Sequence, residues 1–190
     1  MKRIIVSDIF GKTPALIALA ELLNADMIIE PYHNNNKVFD DESQAYQYFS
    51  ENIGLDSYAA QLANKIANVK EDVVLIGFSV GAAAIWQLSD IIANNIASNV
   101  KAAFCFYGGQ IRHSTEISLQ FDVTLIFPES EPHFNVSALI QLVSNKKHVN
   151  IKQVDYLHGF MNALSNNFNQ RGYEQHIALM QRQLKTWDKN

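Results

Sequence analysis

The chain has 190 residues, 48% of them hydrophobic and 18% charged, an ordinary globular composition with enough length to bury one core. A formal net charge of −4 and the lack of any Lys/Arg run exclude nucleic acid and a membrane surface as partners, because both need clustered positive charge. A single cysteine, Cys105, excludes an internal disulfide and a Cys-rich metal motif.

Residues 2 to 6 form a short Ile/Val-rich run suited to a strand buried on both faces. The run stops at Ser7 and Asp8, too early for a signal-peptide core, and no later stretch reaches the length of a membrane span. A soluble, cytoplasmic protein is expected. Thr13-Pro14 supplies a cap and a first-turn proline for a helix carrying Leu16, Leu19, Leu22 and Leu23. A strand at 27–30 and a polar, Asn-rich loop from Tyr32 to Glu42 follow, then helical spacing at 55–69 through Leu55, Ala59, Leu62 and Ile66. Val73-Val74-Leu75-Ile76 reads as a buried strand that runs into Gly77, with a helix at 80–93. Further strands are expected at 101–106, 123–127 and 149–154, and helices at 135–144 and 172–186. No linker or repeat divides the pattern, so it predicts a single domain with a mostly parallel sheet covered by helices on both faces.

Gly77-Phe78-Ser79-Val80-Gly81 fits G-x-S-x-G and lies between an apolar strand and a helix rich in small residues. There a serine occupies a tight turn at the carboxyl edge of the sheet, close to the helix N-terminus, whose N–H groups favour developing negative charge. Ser79 is the candidate nucleophile and the N–H of Val80 a first oxyanion donor. A serine hydroxyl needs a positioned base, and in this arrangement the base follows the acid late in the chain. His158, just past the 149–154 strand, fits that order. His33 precedes the serine, His148 and His176 suit structural roles, and His113 and His133 could line a pocket from their loops. Two acids compete after the 123–127 strand, Glu129 and Glu131, while Asp155 sits too near the end of its own strand to reach the imidazole.

These segments together resemble the dienelactone hydrolase family, a branch of the α/β-hydrolases, over most of the chain. Ser7-Asp8-Ile9-Phe10-Gly11 is similar to that family's E-I-F-G segment, which makes the Ile9 N–H a second oxyanion donor and puts Asp8 where the family has a glutamate. Phe106-Tyr107-Gly108-Gly109 is similar to its Y-Y-G turn, and His158-Gly159-Phe160 to its H-x-F. Phe127-Pro128-Glu129-Ser130-Glu131 parallels F-G-x-x-D, so the resemblance puts the acid at Glu131 with Glu129 as runner-up. Ser79 stands where the family typically has cysteine, and Asn162 where it has an arginine that holds a substrate carboxylate. The resemblance therefore implies an α/β-hydrolase fold with little or no cap domain, acting as a serine hydrolase on a small-molecule ester or thioester. Neither cofactor nor metal is implied, and the expected state is a monomer or weak homodimer. Asp8, Phe10, Phe78, Tyr107 and Phe160 are the expected pocket residues, whereas Trp86 and Cys105 read as core. A non-catalytic binding protein on the same fold and an acyltransferase with the same triad are the alternatives.

Overall fold

Strands form where apolar residues run without interruption, because a parallel strand is buried on both faces and must be apolar at every position. The computed structural model, which describes residues 1–32, 37–93 and 99–188, pairs six strands, of which the central β3 is buried at every residue and the edge strand β6 at none: β1 (Lys2–Val6), β2 (Met27–Ile29), β3 (Val73–Phe78), β4 (Val100–Phe106), β5 (Asp122–Phe127) and β6 (Val149–Gln153). All pairings are parallel and the strand order is β2-β1-β3-β4-β5-β6.

The period of two along each strand sorts the core into two layers. Ile4, Val6, Val73, Leu75, Ala103, Cys105, Val123 and Leu125 face one side, which helices α3 (Leu55–Ala67), α4 (Val80–Ala93) and α5 (Val136–Val143) cover. Ile5, Val74, Ile76, Phe78, Phe104 and Phe106 face the other, under α1 (Pro14–Leu22) and α6 (Gln170–Trp187). α1 opens as its sequence predicts, with Thr13 Oγ1 accepting from the Leu16 N–H at 3.1 Å and Pro14 at the first helical position. Among the described residues no helix is long and apolar enough to cross a membrane.

One helix departs from the sequence reading. α2 (Glu42–Asn52) begins at the end of the predicted loop, capped by Asp41, whose carboxylate accepts from the Gln44 N–H at 2.8 Å. Only Ala45 and Phe49 of its residues are buried, so its apolar stripe is too thin to announce a helix. Residues 33–36, including His33, lie outside the described residues.

The crossovers leave β1 and β3 in opposite directions, β1 toward α1 on one face and β3 toward α4 on the other. A crevice opens where neighbouring parallel strands diverge in this way, and residues just past both carboxyl ends meet in it. Register puts Val6 beside Gly77, so the Ser7–Gly11 turn and Ser79 become neighbours.

Gly81 makes that approach possible: a Cβ there would overlap the carbonyl oxygens of Val6 and Ser7. Gly81→Ala is expected to cost about 3 kcal/mol or more in denaturant unfolding, because rigid backbone must move. Gly54→Ala, at φ +76° with open space around it, should cost only about 1–2 kcal/mol.

Candidate active site

Ser79 occupies the one-residue turn between β3 and α4 at φ 51°, a left-handed conformation that L-residues adopt only when their surroundings impose it. The Ser79 N–H donates to the Phe106 carbonyl (2.9 Å), and its own carbonyl accepts from the Ala83 N–H (3.1 Å), so strand and helix both hold the turn. Gly77 serves the same geometry, since a Cβ there would strike Ile85 and the Ala82 backbone. Val80 begins the helix, where first-turn N–H groups have no carbonyl partner within it.

Two further loops bring their side chains to Ser79. His158, beyond β6, has its Nε2 3.0 Å from Ser79 Oγ and its Nδ1 2.7 Å from Glu131 Oε1. With the proton on Nδ1, His158 donates to Glu131 and accepts from the Ser79 hydroxyl. Asn167 Nδ2 donates to the His158 carbonyl (2.9 Å), and the imidazole leans on the Tyr107 ring at 4.8 Å. The Glu131 side chain is only 8% exposed. Glu129 is exposed instead: its backbone is tied down by its N–H to the Tyr156 carbonyl (2.8 Å) and by Gln153 Nε2 on its carbonyl (3.2 Å). Asp155 is also exposed.

The turn after β1 is fixed by buried hydroxyls. Tyr58 Oη reaches the carbonyls of Ser7 (3.1 Å) and Ile29 (3.0 Å), Tyr32 Oη donates to the Ile9 carbonyl, and the Phe10 N–H donates to Asp8 Oδ1 (3.0 Å). Ile9 and Val80 line the same cleft as Ser79, His158 and Glu131, a space of about 530 Å³. Its remaining walls were not foreseen: Glu42 and Tyr46 from α2, Gln110 and Arg112 from a 3-10 turn at Gly109–His113, and Phe134. The guanidinium of Arg112 lies over the Phe134 ring at 4.9 Å and donates to the Gly109 carbonyl at 2.7 Å. His133 lines the cleft as well, whereas His113 is exposed and does not.

Asp8 stands beside this cleft and donates nothing as a carboxylate; Asn162 Nδ2 donates to its Oδ2 at 2.7 Å. Burial pushes its pKa up to about 6, against the opposing effects of the Phe10 N–H, the Asn162 amide and the nearby His158. Phe10 and Tyr107 border the narrow gap between Asp8 and Ser79.

Phe160 corrects the sequence reading. It is fully buried, packed on Tyr156, Tyr107 and His176, and does not line the cleft that holds Ser79, because the positive φ of Gly159 (85°) turns the chain inward after His158. Phe78 stacks on Phe106 and lines a separate apolar cavity rather than the main cleft. His148 bonds Asp122 (2.7 Å), His176 Nδ1 lies 2.8 Å from the Gly172 carbonyl, and Trp86 Nε1 donates to Ser114 O (2.8 Å) from full burial. Burial pushes the Cys105 thiol far above its ordinary range. Among the described residues no group of three or more His, Cys, Asp or Glu is arranged to hold a metal ion.

Residues 5–187 match the model of the dienelactone hydrolase family. The chain is 35% identical over 132 residues to the uncharacterized protein YczH of Bacillus subtilis (strain 168), a match covering 68% of this chain and 62% of that protein. It thus spans less than two thirds of the length of that relative. Among solved structures it is similar to the dienelactone hydrolase-like promiscuous phosphotriesterase P91 from metagenomic libraries, at TM-score 0.61 and 14% identity over 98% of this chain and 86% of that one. It is also similar to the hyperthermophilic esterase of Pyrobaculum calidifontis, at TM-score 0.62 and 12% identity over 97% and 77% of the two chains. Est1E of Butyrivibrio proteoclasticus gives TM-score 0.60 and 10% identity over 99% and 88%.

The Asp8 carboxyl yields a pH prediction. Its folded pKa lies above the unfolded value, so its contribution to stability is complete below about pH 4 and is lost as pH rises through about 6. Asn162→Ala removes a donor to the ionised form. The Asp8 midpoint, followed by carboxyl NMR, should move above about 6 and the loss of stability toward neutral pH should grow.

Proposed function

This chain belongs to the dienelactone hydrolase family, and from that premise we propose that it hydrolyses an ester or thioester of a small molecule through Ser79, His158 and Glu131. The observation that carries the reading is the unbroken relay of hydrogen bonds, 3.0 Å from Ser79 to His158 and 2.7 Å from His158 to Glu131. Each atom has one task. Ser79 Oγ attacks the substrate carbonyl while its proton passes to His158 Nε2, and the negative charge that develops on the carbonyl oxygen is met by the N–H groups of Ile9 and Val80. Collapse breaks the bond to the alcohol or thiol, which takes the proton from His158 and leaves an acyl-serine. Water then attacks that ester with His158 again accepting the proton, and the carboxylic acid departs with Ser79 restored.

Glu131 keeps the imidazole in the tautomer that accepts from serine and stabilises the imidazolium between the two proton transfers. Its near-complete burial supports this role, because a carboxylate out of water interacts more strongly with a charge 2.7 Å away than an exposed one does. The reaction needs no electron transfer and no cofactor. Sheltering the seat of the charge from solvent is the work of the Ser7–Gly11 turn and the first turn of α4.

Hydrolysis of p-nitrophenyl acetate and labelling by a fluorophosphonate probe test the assignment. Ser79→Ala should abolish labelling and lower kcat/KM by about 10⁴-fold or more. Labelling of the variant equal to wild type would remove the reading. Glu131→Gln should cost about 10³-fold or more and Glu129→Gln less than about threefold, and the reverse order would move the acid to Glu129.

A further inference from the structure

Beside Ser79 lies a second, largely apolar cavity of about 220 Å³, between α1 and the segment leading to α6. Ala15, Leu16 and Leu19 form one wall, Met161 and Phe168 the other, with Phe78 at the base. Three residues, Asp8, Tyr107 and Asn162, belong both to this cavity and to the gap of about 10 Å³ that touches Ser79 and His158. The cavity thus adjoins the reacting centre, and the gap between them is a neck with room for about one water, walled in part by the hydrogen-bonded Asp8 and Asn162.

Tyr107, which borders both the cavity and the neck, also carries the buried side-chain polar atom that, among the described residues, has no hydrogen-bond partner, its Oη. The Met161 amide faces it without reaching hydrogen-bond geometry. A buried hydroxyl left this way destabilises the fold, and such a group commonly marks a place that a ligand or water completes.

Resting on the hydrolase reading, we propose that this cavity is the acyl subsite and that the preferred substrates are esters whose acyl part is an apolar group of about phenyl size. A leaving group must lie against His158, which protonates it, and His158 lines the wider, more polar cleft but not the apolar cavity. The alcohol or thiol therefore takes the wide cleft and the acyl group takes the cavity. The size follows from volume, since a dry apolar cavity of about 150 Å³ accepts one benzene ring and this one, at about 220 Å³, is larger by about two to three methylenes. Entry parts Asp8 from Asn162, and the apolar walls repay part of that loss through the area they remove from water.

The test compares p-nitrophenyl phenylacetate with p-nitrophenyl acetate in wild type, Ala15→Trp and Ala18→Trp, the last at the solvent-exposed mouth of the cavity in case the first fails to fold. Wild type should favour phenylacetate by at least tenfold in kcat/KM, and a folded tryptophan variant should lower that ratio at least tenfold. Turnover of both esters with a ratio unmoved by tryptophan, or turnover of acetate alone, overturns the subsite and leaves the hydrolase reading standing. Turnover of neither ester, with no fluorophosphonate label on Ser79, removes that reading and the subsite with it.

Discussion

The contact on which the site depends is that of Gly81 with the carbonyls of Val6 and Ser7, which lets α4 seat directly on the end of β1. Closing that distance sets three things together. It brings the first turn of α4 level with the Ser7–Gly11 turn, so Ile9 and Val80 border one cleft. It fixes the height of Ser79 above the sheet. It also leaves no room for the chain to relax between β3 and α4, which is why Ser79 stays at φ 51°. Strain of this kind costs on the order of 1–3 kcal/mol and persists only where surrounding structure over-determines it. Here the fully buried β3 and the apolar α4 do so.

The other side of the site is arranged by sheet order. β5 and β6 are neighbours, so the loops after them, carrying Glu131 and His158, leave the sheet side by side and point back toward β3 across β4. Tyr107, at the end of β4, fills the space between and supports the imidazole with its ring. The Glu129 backbone is held by its bond to Tyr156, which extends the pairing of β5 and β6 beyond the strands, while the Glu131 side chain is buried against His158. Charge and burial are thereby divided between two residues of the same type within one short loop.

Much of this architecture was legible in the residues. Strands such as Val73–Phe78 are apolar at every position, and the Gly-Phe-Ser-Val-Gly turn names its own geometry because large side chains at either glycine would collide. α2 escaped notice because a helix with only Ala45 and Phe49 buried carries almost no periodic signal, and with it went Glu42 and Tyr46, which wall the cleft. Arg112 was equally silent, since a 3-10 turn of five residues has no pattern that a sequence can display. Phe160 misled for the opposite reason: nearness to His158 in sequence suggested nearness to the cleft, but the turn at Gly159 reverses the side-chain direction and sends the ring into the aromatic layer under α6.

Cys105 lies in β4 with its thiol sealed against the helices of one layer, and it is the chain's sole sulfhydryl. A thiol kept protonated and out of contact with solvent neither alkylates nor enters disulfide exchange at a useful rate. The groups hydrogen-bonded in line with Ser79, the His158 imidazole and the Glu131 carboxylate, are not thiols either. Thiol-blocking reagents and disulfide exchange therefore find no target at Ser79, His158 or Glu131.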